Sequence, residues 1–195
     1  MDFAKILRRR RMVRSYRPDP VTSEQLERIV GAVRHAPSAG FCQAHRLFVV
    51  TKKETRRAIA KLSNEEKYFV KPWLSNAAAH IVIGFREGDY HDRYQKPDKL
   101  QEDGTEIPWP VPFWYVDAGG LAMLIQLAAI NEGLGAAFVG PTDWGPYREL
   151  LEIPDDVTTI GIVLIGHADP DEPKHMNTDT LKQQRRPTED LVRWD

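Results

Sequence analysis

Cysteine is almost missing from this chain: 195 residues contain one, Cys42. One thiol excludes an internal disulfide and any cysteine-rich zinc centre. Long apolar runs are missing too; none approaches the ~20 residues that a membrane span needs. The N-terminus lacks the charged-then-apolar order of a secretory signal, because its arginines follow a weakly apolar stretch. There is no excess of one charge, with 27 Lys+Arg against 28 Asp+Glu and a net charge of −1. A duplex binder is usually basic as a domain, since phosphate neutralisation dominates its affinity. No Gly-x-Gly-x-x-Gly follows a strand and no nucleotide-triphosphate loop is present. No His-Glu-x-x-His, nucleophile elbow or Ser/His/Asp order stands out. These absences predict a soluble, cytoplasmic chain with no nucleic-acid partner, no membrane contact and no metal. They leave a single domain over residues 1–195, long enough to bury a full core.

What is abundant is arginine at one end. Arg8, Arg9, Arg10, Arg11, Arg14 and Arg17 fall within the first seventeen residues, between the apolar Phe3, Ile6 and Leu7 and the breakers Pro18 and Pro20. A guanidinium is a rigid fork of donors matched to phosphate, and clustered guanidiniums repel one another unless an anion joins them. Arg10, Arg11 and Arg14 flank Met12 and Val13, so part of the segment packs while its charges gather. With the rest of the chain balanced, this pattern suits one small anion better than a polyanion. A charged helix face or a basic arm are the alternatives these residues leave open.

Hydrophobic periodicity predicts alternating helices and strands. Helices are expected over about 3–11, from the Thr22–Gln25 capping box to Val33, over 53–62, and over 64–74. Further helices are expected over Asp117–Leu134 and near Pro146–Leu151. Strands are expected at Leu47–Thr51, Ala78–Phe85, Ala136–Val139 and Thr159–Ile165. The helix over 117–134 is apolar nearly all round, which marks a central or intersubunit element. Residues 86–115 are polar, rich in proline and almost without period, yet carry Tyr90, Tyr94, Trp109, Phe113, Trp114 and Tyr115. Such a segment reads as a lid-like insert. Small polar constellations carry less: His91 and Asp92 point apart on most backbones, and Cys42 with His45 is a weak thiolate pair.

One combination is more specific. Arg10-Arg11-Met12-Val13-Arg14-Ser15-Tyr16 precedes Ala36-Pro37-Ser38-Ala39-Gly40-Phe41-Cys42-Gln43, then a mostly apolar helix, then Arg185-Arg186 before Pro187. Over essentially the whole chain this resembles the nitroreductase family of flavin-dependent oxidoreductases. The resemblance implies an α+β fold with a mixed, largely antiparallel sheet flanked by helices, assembled as a homodimer with FMN at the subunit interface. It implies that Arg10, Arg11, Met12 and Arg14 hold the flavin phosphate and pyrimidine edge. Pro37, Ser38, Ala39 and Gln43 would reach the flavin of the partner subunit. Val139, Gly140, Pro141 and Thr142 would offer backbone near the flavin N5, and Arg185, with Arg186 as second choice, would complete the phosphate clamp.

No protein acid, base or nucleophile is implied, since the flavin carries the chemistry. NADH or NADPH would donate electrons in a two-step exchange, and a flat, electron-poor nitroaromatic or quinone would accept them. Phe41, Trp109, Trp114 and Tyr115 would wall the acceptor. The alternatives are a flavin-binding or sequestering protein without nicotinamide turnover, and a related flavin enzyme such as a reductive dehalogenase.

Overall fold

The computed structural model describes residues 1–68, 72–171 and 183–195. Its centre is a four-stranded sheet of β1 (His45–Val50), β2 (Ala79–Phe85), β3 (Gly135–Val139) and β4 (Thr158–Gly166), in the order β1-β2-β4-β3. Every pairing is antiparallel. The central β2 is buried along its whole length, which explains its unbroken apolar run Ile81-Val82-Ile83.

Alternation along the strands splits the core in two. Ile81, Ile83, Phe85, Ala136, Val163 and Ile165 face one cluster, and Val82, Ala137, Ile162 and Leu164 face the other. The first is covered by α2 (Ser23–Gly31) and by the long α6 (Phe113–Asn131). The second is closed by α3 (Lys53–Leu62), α4 (Glu65–Tyr68) and α7 (Gly145–Leu151), with Ile59 and Tyr147 buried. Among the described residues the remaining α-helices are α1 (Phe3–Arg9), α5 (Gly88–Tyr94) and a terminal turn over Thr188–Leu191.

The Thr22 capping box forms as its sequence predicts. Thr22 Oγ1 accepts from Gln25 N (3.2 Å), while Gln25 Oε1 accepts from Thr22 N (3.1 Å). α2 then tightens into a 3-10 turn over Ala32–His35. Of the helix expected over 64–74, Glu65–Tyr68 is helical, residues 69–71 lie outside the described residues, and Pro72 onward is not helical. The buried Glu65 accounts for the non-helical backbone at Trp73–Ser75. Its Oε1 accepts from the backbone N–H groups of Trp73 (2.6 Å), Leu74 (2.5 Å) and Ser75 (3.3 Å), which holds these three residues on the carboxylate.

Two expectations are corrected. The segment 86–115 is not without regular structure: Gly88–Tyr94 is helical. Its apolar positions are too few to show a period, and the fully buried Tyr90 anchors it instead. The long helix begins at Phe113 rather than Asp117, so Trp114 belongs to it. At 19 residues and a mean hydropathy of 1.5 that helix is also long and apolar enough to cross a membrane. Here it buries Ala118, Leu121, Ile125 and Ala129 against the sheet.

Candidate functional site

The arginine segment is built into the sheet end. After α1 stops at Arg9, Val13 N donates to Ala136 O on β3 (3.0 Å). Further on, Asp169 N donates to Ser15 O (3.0 Å), Arg17 N donates to His167 O (2.9 Å), and Tyr16 bridges to Ala168 beyond β4. Ser15 Oγ also donates to Asp169 Oδ2 (3.1 Å). Val13 and Tyr16 are buried, whereas Arg10, Met12 and Arg14 are half-buried and Arg11 is exposed. Gly135 makes the docking close: a Cβ there would come within 2.9 Å of Val13 Cγ2.

β3 runs from this contact into Val139 and the exposed Gly140, with Thr142 also exposed and Pro141 half-buried. Met12, Val139 and Trp144 are partly uncovered apolar groups on one side of the sheet. Arginines beside partly open apolar surface suit a flat ring carrying a phosphate. A cavity of about 320 Å³ at the start of β3 is lined by Arg8, Arg9 and Arg11 with Val13, Leu134 and Gly135. Thus the structure gathers Arg8 and Arg9 beside Arg11 there, while Arg10 and Arg14 do not line that space. Arg185 and Arg186 are exposed on the C-terminal stretch.

The Pro37–Gln43 loop is the second built feature. Gly40, Phe41 and Gln43 have φ of +59°, +59° and +52°. Left-handed backbone costs a non-glycine residue about 1–2 kcal/mol, so its surroundings must hold the loop. Asp117, buried on α6, does so: its Oδ2 accepts from Ala39 N (2.9 Å) and from Tyr90 Oη (2.8 Å). Arg93 Nε donates to Gly40 O (3.0 Å), and Gln43 N donates to Ser38 Oγ (2.9 Å). Tyr94 lies under Gly40, where a Cβ would be 2.7 Å from its ring. The clamped loop leaves Phe41 75% exposed.

Sequence reasoning missed Asp117, Tyr90 and Arg93 as supports of this loop. The only signal was a carboxylate at the expected start of an otherwise apolar helix. Cys42 is not a thiolate. Its Sγ donates to Ala39 O (2.7 Å), and burial, helped by the Asp117 charge, pushes the thiol up to about 11.

The insert packs on the same supports. Trp114, 7% exposed, meets Tyr90 at 5.7 Å and Trp109 at 5.5 Å between ring centroids. Trp109 is half-buried, and its Nε1 donates to Glu106 Oε1 (2.6 Å). His91 Nδ1 lies 2.8 Å from that same oxygen. Tyr115 is 49% exposed, edge-on to Phe85. Of the four aromatic positions expected at an acceptor, Phe41 and Tyr115 are exposed, whereas Trp109 is half-buried and Trp114 is buried. Among the described residues no group of three or more His, Cys, Asp or Glu is placed to hold a metal ion.

Comparison with known proteins bears on the fold and the family. The chain is 30% identical over 171 residues to an FMN reductase [NAD(P)H] of Bacillus subtilis, covering 85% of this chain and 66% of that protein. It is 26% identical over 193 residues to the NADPH-flavin oxidoreductase of Vibrio harveyi, covering 95% of this chain and 76% of that one. The solved structure of a nitroreductase family protein from Clostridium difficile superposes with a TM-score of 0.71 at 23% identity, covering 100% of this chain and 99% of the other. At that identity the likeness is one of fold. The nitroreductase family model matches residues 7–167, and the chain belongs to the nitroreductase family.

Proposed function

We propose that the protein is an FMN-dependent oxidoreductase that takes electrons from NADH or NADPH and passes them to a flat, electron-poor acceptor, a nitroaromatic or a quinone. The observation that carries this reading is the docking of the arginine segment on β3 through Val13 and Ala136. It sets the arginine segment against the start of β3, the strand that ends at Val139 and leads into Gly140–Thr142. Family membership and the flavin reductases among its relatives support the same reading.

Arg10, Arg11 and Arg14 would bind the FMN phosphate and pyrimidine edge, with Met12 against the ring and Arg185 or Arg186 closing on the phosphate. Charge-assisted bonds of this kind are about twice as strong as neutral ones. Bound FMN would supply the hydride chemistry. Backbone at Val139, Gly140, Pro141 and Thr142 would meet the ring edge, and Arg14 would favour negative charge on its pyrimidine side. Pro37, Ser38, Ala39 and Gln43 would complete the site of a second subunit, where Phe41 and Tyr115 would bound the acceptor.

The dimer this requires has a surface to use. Val116, Gly119, Gly120 and Met123 form an exposed stripe on α6, with Val116 54% and Met123 42% exposed. Built Cβ atoms at Gly119 and Gly120 meet nothing within 4 Å, so the stripe is open to a neighbour.

The test is the visible spectrum of the purified protein, followed by nicotinamide oxidation with a quinone present. About one FMN per chain and steady turnover are expected. A colourless protein that takes up no FMN would overturn the reading. Flavin uptake without nicotinamide oxidation would leave a flavin-binding protein.

A further inference from the structure

A second cavity, of about 510 Å³, shares no lining residue with the cavity beside Arg11 and lies between the Pro18–Val21 turn, the start of α3 and the chain from Pro72 to Ala78. Lys53, Arg56 and Arg57 line it, with Asp19 the one acid on its wall among the described residues. Asp19 is engaged by Arg17 at 2.9 Å. Among the described residues no carboxylate lies within ion-pair distance of Lys53, Arg56 or Arg57.

Arg56 is held in place by backbone. Its Nε donates to Thr51 O (3.2 Å), and its Nη1 donates to Ser75 O (3.2 Å) and to Ala77 O. This grip fixes the guanidinium and its charge at the cavity wall without neutralising it. The position is electrostatically costly. Arg8 and Arg9 sit in the last turn of α1, where the helix dipole favours cations. Lys53, Arg56 and Arg57 instead crowd the first turns of α3, the positive end of its dipole, with only Glu54 as acid in that turn. An anion in the cavity relieves both the repulsion and the dipole.

Pro18, Val21 and Leu26 add apolar lining to the same cavity. We propose that this cavity binds a small phosphorylated molecule. Its doubly charged head would meet Lys53, Arg56 and Arg57, and its flat or apolar body would lie on the proline wall. Three cations on one head favour a phosphate over a singly charged carboxylate. The cavity shares no residue with the proposed flavin site.

The experiment is calorimetric titration of the FMN-loaded protein with adenosine monophosphate, and separately with inorganic phosphate. One saturable adenosine monophosphate site per chain is expected. The double variant Lys53→Ala/Arg57→Ala should weaken it about tenfold or more while keeping the flavin spectrum, since both side chains are exposed. Inorganic phosphate should bind more weakly at the same site. Amide signals of Lys53–Arg57 and Asn76 in the unaltered protein should shift with ligand, a readout that needs no variant. No saturable binding, unshifted amides, or an affinity unchanged in the double variant would overturn the proposal. Should the protein take up no FMN, the same titration on the Arg14→Ala protein reads this cavity alone.

Discussion

Asp117 has a role out of proportion to its surroundings. It is the buried acid of an apolar helix, and one of its oxygens joins the Ala39 amide to the Tyr90 hydroxyl. Hydrogen bonds to a charged group contribute about 1.5–3 kcal/mol. Asp117→Ala should therefore lower stability by about 1–3 kcal/mol and release the strained loop, since the buried Tyr90 hydroxyl and the half-buried Ala39 amide lose their acceptor. Asp117→Asn, nearly the same shape, should keep the fold but loosen the loop. Flavin affinity measured by titration and melting measured by calorimetry separate the two effects. An Asp117→Asn protein with unaltered flavin affinity would show that the loop does not need this anchor.

At the arginine segment, Arg14→Ala should weaken FMN binding by about 1.5–3 kcal/mol. Arg17→Ala should matter little, because Arg17 is exposed and engaged with Asp19. Equal losses at both positions, read by fluorescence titration, would point to a diffuse basic patch instead.

Among the elements, the insert changes most from what its composition suggests. α5 is fastened by His91, whose Nδ1 meets Glu106 and whose Nε2 lies 3.6 Å from Glu87. The Glu106 hydrogen bond raises the His91 pKa above its ordinary value near 6.5. On the other side, burial opposes the charge of Glu106, but hydrogen bonds from Trp109, His91 and Gln95 outweigh it and hold the carboxyl low. A raised histidine pKa adds stability that is fully present below the ordinary value and is lost as pH rises through the folded-state value. Amide exchange over Gly88–Tyr94, corrected for intrinsic rates, should be slower at pH ~5.5 than at pH ~8.5. His91→Gln should remove that difference; a difference that persists would assign it to another group. Trp114 is a core residue of α6, so Trp114→Ala should cost about 3–5 kcal/mol in a melting experiment. A loss below 1 kcal/mol would mean that its ring packing contributes little.

For the whole molecule, the two sides of the sheet have different fates. One is closed by α3, α4 and α7, while α6 covers the other and still presents its own outer stripe. Gly120→Leu puts a branched side chain on that stripe without touching the core. It should shift the protein toward monomer in sedimentation and lower flavin occupancy together, because the Pro37–Gln43 loop would lose its neighbour. A monomer with full FMN occupancy would contradict the shared site.

Periodicity and capping chemistry are local, and they determined most of the elements. The capping box at Thr22, the continuous apolar run of β2 and the helix over 53–62 each follow from residues within a few positions of one another. The arginine and Pro-Ser segments were likewise legible, because their residue types are unusual at that density. Tertiary structure alone decided what supports them. Val13 meets Ala136 across more than a hundred residues, and Asp117 meets Ala39 across 78. It also decided that Trp114 faces inward and Phe41 outward, and that Lys53, Arg56 and Arg57 share a cavity with the Pro18 turn. Such pairings depend on how layers close over the sheet. A side chain's own sequence neighbours carry no record of which distant surface will cover it.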